Sequence, residues 1–148
     1  MKKVHLILLI ITPIIFISAR SIFASDSADD INPLVPQAIS LNEKLKTCTP
    51  TKSEVSGSKT EIYGVKKGMC RFSVENPDGS SIMNRQTGER IDITNCDYSV
   101  PIEDVRQYAI NNIRLIKSMY QIDNIALSRA EIIEIGNNEF EFAKKYCN

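Results

Sequence analysis

The chain has no Trp, one His, and no Cys-x-x-Cys pair among its four Cys. His5 lies in the N-terminal segment, which is expected to be removed. A mature chain without His has no Ser-His-Asp or Cys-His mechanism and no imidazole ligand for zinc. The cysteine gaps of 22, 26 and 51 residues exclude a thioredoxin-like site and a zinc knuckle. No basic surplus is present: 18 Lys and Arg balance 18 Asp and Glu. A nucleic-acid partner is therefore not expected. There is no Asn-x-Ser/Thr sequon, and Ile outnumbers Leu by 22 to 8. That bias fits an AT-rich, bacterial genome.

The one long apolar run is at the start. Met1-Lys2-Lys3 precedes Val4 to Ile17, and Ile22-Phe23-Ala24 supplies small and aliphatic residues. This reads as a signal peptide over 1–24, cleaved after Ala24. The run is shorter than the roughly 20 residues of a spanning helix. An uncleaved anchor, with Arg20 near its end, is the lesser reading. No Cys lies near the site, so lipid modification there is excluded. The expected location is periplasmic or secreted, with no membrane contact after cleavage. Without residues 1–24, 15 basic side chains face 18 acidic ones.

Residues 25–32 read as a flexible acidic leader. Asp26, Asp29 and Asp30 lack the Gly and distal Glu of a calcium loop, so neither metal nor cofactor is expected. Residues 33–148 form the single domain. Hydrophobic residues make up 43% of the chain, enough for a core.

Leu34, Ala38, Leu41 and Leu45 recur at helical spacing, and the spacing predicts a helix over 34–47 opened by Asn32-Pro33. Thr51 to Ser58 reads as a loop. Strands are predicted at 60–65, at 69–75, where Cys70, Phe72 and Val74 alternate with polar residues, and at 91–100 with a bulge near Asn95. The polar 76–90 stretch between them reads as a mobile loop. Ile102, Val105, Ala109, Ile113, Ile116 and Tyr120 mark a long helix to 122. Ile125 to Ile135 reads as a helix stopped by Gly136, and 138–146 as a last short one. The expected fold is α+β: a small three-stranded antiparallel sheet, an N-terminal helix, and C-terminal helices packed on one face.

Four Cys in an exported chain imply two disulfides. A hairpin centred near residue 83 would set Cys70 opposite Cys96 and leave Cys48 for Cys147. The alternative is Cys48–Cys70 with Cys96–Cys147.

No motif carries chemistry coherently. Ser56-Gly57-Ser58-Lys59 matches Ser-x-x-Lys, but it lies in a loop and lacks partner motifs. Glu103/Asp104, Glu131/Glu134 and Glu139/Glu141 read as solvated helix faces rather than glycosidase pairs. Interface candidates are Tyr63, near a strand edge, and Met119 with Tyr120 on the broad apolar helix face. A homodimer through that face is one outcome.

Leu-Lys-Thr-Cys-Thr-Pro at 45–50, Ile62-Tyr63-Gly64, Gly68-Met69-Cys70 and Asn95-Cys96-Asp97-Tyr98 form a pattern. Over residues 45–100 the chain resembles a group of small exported bacterial four-cysteine proteins of unassigned activity. The resemblance implies an extracytoplasmic disulfide-stabilised domain and brings no catalytic residues. The expected function is non-enzymatic protein–protein binding. A secreted inhibitor or effector, acting through the 76–90 loop, is one alternative. A small His-free hydrolase using Asp/Glu or Ser-Lys is another, and an anchored envelope subunit a third.

Overall fold

The computed structural model describes residues 32–148. The expected signal peptide, its cleavage site and leader residues 25–31 lie outside the described residues. Three α-helices and six strands follow one another: α1 (Leu34–Lys46), β1 (Thr51–Val55), β2 (Ser58–Lys66), β3 (Met69–Glu75), β4 (Ser81–Met83), β5 (Arg90–Asp92), β6 (Asn95–Pro101), α2 (Ile102–Met119) and α3 (Arg129–Tyr146). A short 3-10 turn, Ile122–Asn124, joins α2 to α3.

The main sheet has four strands, in the order β1-β2-β3-β6, all antiparallel. The expected count of three is corrected. The fourth strand is β1, which had read as a loop because its Thr51-Lys52-Ser53-Glu54 carries no apolar alternation. Pairing with β2 and a two-residue turn make it a strand. That turn is Ser56-Gly57, at φ 52° and 82°. The turn between β2 and β3, Lys67-Gly68, has φ 53° and 76°. Positive φ at both central residues matches the right-handed strand twist and closes each hairpin tightly.

Cys70, Phe72, Val74, Cys96, Tyr98 and Val100 alternate inward and share one core with Val35, Ala38, Leu41, Val105, Ala109 and Phe140 of the helices. Arg71, Glu75, Asn95, Asp97 and Ser99 face outward and are exposed. The helices therefore cover one face of the sheet, as alternation demands. An aromatic stack joins the layers. Phe72 and Tyr98 stack at 4.5 Å, Tyr108 and Phe142 at 4.1 Å, and Phe142 bridges to Tyr98 at 5.7 Å.

Asn32 does open α1, its Oδ1 accepting the Leu34 amide at 3.0 Å. At the other end the Cys48 amide donates to Leu45 O and the Thr49 amide to Lys44 O. This paired closure places Cys48 at φ 52°, a position usually given to Gly.

The 76–90 stretch is not one loop. β4 and β5 form a small separate hairpin. Buried Asn76 fastens its base: Nδ2 donates to Ile93 O at 2.6 Å, and Oδ1 accepts the Ser58 hydroxyl at 2.8 Å. Lys144 of α3 pairs with Glu89 at 2.9 Å.

The expected bulge near Asn95 is also corrected. The inward side changes there because β5 and β6 belong to different sheets. The register shift in the main sheet falls in β2, between Ile62 and Gly64.

α3 runs unbroken through Gly136, so the two expected helices are one. Ile135, Gly136, Glu139, Phe140 and Ala143 form its buried stripe. A Gly on a buried stripe reads as a stop only when the chain turns left-handed there, and Gly136 does not. The helix starts at a capping box. Ser128 Oγ accepts the Glu131 amide, and Glu131 Oε2 accepts the Ser128 amide at 2.8 Å.

Candidate functional site

The disulfides are Cys48–Cys70 and Cys96–Cys147, with Cα separations of 5.7 and 4.7 Å. The preferred expectation, Cys70 with Cys96, is overturned by register. Cys70 lies opposite Val100, and Cys96 opposite Val74. With the β4–β5 hairpin between the strands, the partner of Cys70 lies four residues further along β6 than expected. Cys70 then meets the end of α1, and Cys96 meets the end of α3.

The first bridge fixes the turn end of the β2–β3 hairpin. At that end Ile62 pairs with Phe72, Gly64 with Arg71, Val65 with Cys70 and Lys66 with Met69. Tyr63 has no opposite residue. It is the extra residue of a β-bulge, which bends the strand and re-aims its side chains. Gly64 takes φ 102°, and a Cβ there would lie 3.2 Å from Pro50 Cγ. Only Gly fits that backbone with Pro50 alongside.

Two consequences follow at the surface. Tyr63 is 53% exposed and Val65 54%, the exposed large hydrophobics among the described residues. Lys66, Lys67 and Arg71 beside them are exposed. None of the three takes part in the ion pairs among the described residues. The Tyr63 hydroxyl is held by Ser73 Oγ at 2.9 Å, so the ring is oriented. Exposed Tyr63 and Val65 thus share one rigid tip with three unpaired cations, in a domain whose 15 basic and 15 acidic side chains balance over 33–148.

The rest of the outer sheet face is different. A shallow hollow of about 520 Å³ there is lined by Lys52, Glu54, Lys59, Glu61, Glu75 and Asp97, among others. Its lysines are matched: Lys52 with Glu61 and Lys59 with Glu75, each at 3.0 Å.

Met119 and Tyr120, the other expected interface residues, pack inward. Tyr120 lies against the main core, and Met119 against a second cluster of Leu115 and Ile135. Burial pushes the Tyr120 hydroxyl up, away from ionisation.

The sequence motifs separate in space by role. Ser56 sits in the β1–β2 turn, Ser58 is tied to Asn76, and Lys59 is paired with Glu75. Glu103 pairs with Arg106 at 2.8 Å, Asp104 accepts the Tyr146 hydroxyl at 2.5 Å, and Glu131 serves the capping box. Among the described residues no cluster of three His, Cys, Asp or Glu is placed to hold a metal ion, and no helix is long and apolar enough to cross a membrane.

Sequence reasoning placed Tyr63 near a strand edge but missed Val65 and the cations. The signal was present: Tyr-Gly-Val-Lys-Lys-Gly carries two Gly and two Lys around an aromatic residue. Comparison with protein-family models, curated proteins and solved structures finds no match to this chain.

Proposed function

We propose that this is an exported, non-enzymatic binding protein that engages another protein through the tip of the β2–β3 hairpin. The observation that carries the reading is that exposed Tyr63 and Val65 share one hairpin end with exposed Lys66, Lys67 and Arg71, none of which takes part in the ion pairs among the described residues. Tyr and Arg supply most hot-spot energy at protein interfaces, and a preorganised surface loses little entropy on docking. The Cys48–Cys70 bridge and the Pro50–Gly64 contact supply that preorganisation. The cations favour an acidic partner surface, steering its approach. Export is supported by the N-terminal sequence and is compatible with two disulfides.

A photo-crosslinking amino acid at Val65, in protein expressed with its own N-terminus, tests the reading. A discrete adduct is expected from Val65 and none from Ser99, which lies on the outer sheet face. Equal labelling from both positions, or none from either, contradicts it.

A further inference from the structure

Glu139 of α3 is 2% exposed, and neither carboxyl oxygen has a hydrogen-bond partner. Asn112 of α2 is 1% exposed, and its Oδ1 is equally without a donor. The contacts that flank them set the two residues at corresponding levels of the α2–α3 seam. α2 and α3 touch at Tyr108 with Phe142 and at Leu115 with Ile135. Asn112 and Glu139 lie midway between these two contacts.

The other half of Asn112 is engaged. Its Nδ2 donates to Asn42 Oδ1 of α1 at 3.0 Å, and Asn42 Nδ2 donates to Ala38 O at 2.9 Å. A line of amide hydrogen bonds therefore runs from α2 into the α1 backbone and stops one donor short. Buried polar groups are rarely left unpaired, because each such group costs free energy. Ionised Glu139 is a pure acceptor and cannot supply that donor; the neutral carboxyl carries one O–H.

The titratable and charged groups nearby do not favour an ionised Glu139. Tyr98 of β6 lies close enough that a Glu139 charge opposes its own ionisation. Asp104 and Tyr108 of α2, and Glu141 and Lys145 of α3, line the same groove. Lys145 approaches Asp104 at 4.0 Å. α1 contributes amide Asn42, and Arg85, after β4, reaches α3 through its amide at Asn137. Burial without a compensating charge holds the Glu139 carboxyl well above the usual carboxylate range.

We propose that Glu139 and Asn112 form a proton-dependent lock that joins α3 through α2 to α1. The neutral carboxyl donates its hydrogen to Asn112 Oδ1, directly or across one water. When that proton leaves to solvent, the donor is gone and a buried carboxylate faces the acceptor-only Asn112 Oδ1. α3 is then released along its middle, while its end stays tied by Cys147.

The lock is independent of the binding surface and is read on the oxidised protein. Side-chain carboxyl NMR gives the Glu139 titration midpoint, and amide exchange over residues 135–143 gives the opening of α3. The midpoint is expected above the ordinary value of about 4.3. Between the two, opening releases a proton, so the opening constant rises up to about tenfold per pH unit. Glu139→Gln keeps a donor and is expected to flatten that rise. Asn112→Ala removes the acceptor and is expected to lower the midpoint. An ordinary midpoint in the wild type overturns the proposal. So does a Glu139→Gln protein with the wild-type pH profile, or an Asn112→Ala protein with an unmoved midpoint. The wild-type midpoint decides even where a variant fails to fold.

Discussion

Pro50 lies against Gly64, closely enough that a Cβ on Gly64 would come within 3.2 Å of Pro50 Cγ. The contact joins the segment after α1 to the bulge that exposes Tyr63 and Val65. Gly64→Ala is expected to destabilise the domain by about 1–3 kcal/mol, since it combines a positive φ with a clash. Urea unfolding measures the cost. A neutral substitution would show that the bulge is not fixed by this contact.

Each disulfide ties a strand of the sheet to the end of a helix. Non-reducing peptide mapping is expected to recover Cys48 with Cys70 and Cys96 with Cys147. Replacing either pair by Ala is expected to cost about 2–5 kcal/mol. Recovery of a Cys70–Cys96 peptide would contradict the observed register.

The Ser128–Glu131 box has a definite pH signature. The backbone amide of Ser128 holds the Glu131 carboxyl below its usual range. A lowered folded value contributes stability that is present above the unfolded value and lost as pH falls through the folded one. Ser128→Ala is expected to cost about 1 kcal/mol and to weaken that acid dependence. Thermal melts between pH 3 and 7 check both.

Phe72 and Phe140 are fully enclosed, at 1% and 0% exposure. Either change to Ala is expected to cost about 3–5 kcal/mol. Tyr63→Ala touches a half-exposed ring and is expected to alter stability by less than about 1 kcal/mol. That contrast separates core from surface aromatics.

Much of the fold was legible where period and punctuation agreed. Residues 69–75 alternate strictly and form β3 as read. Leu34 to Leu45 keeps helical spacing and forms α1. The misses have physical reasons. β1 has polar side chains because both of its faces are partly solvated, so only its hairpin turn announces it. Gly136 mimics a stop signal but sits on the buried side of α3. The disulfide pairing depended on strand register, and register depended on the β4–β5 hairpin, whose anchor Asn76 looks in sequence like an ordinary turn residue. The binding tip was half legible: Tyr63 was visible, whereas the 54% exposure of Val65 has no signal in the period and emerges only with the folded hairpin end.

The central claim is that the β2–β3 tip binds a partner protein. The most direct measurement is the affinity of the partner crosslinked at Val65 for wild-type, Tyr63→Ala, Arg71→Glu and, as control, Lys52→Ala protein. The account predicts a loss of about tenfold or more for the first two variants, as expected of hot-spot residues, with unchanged melting temperatures and a control that binds like wild type. Equal affinity across all four proteins would contradict it.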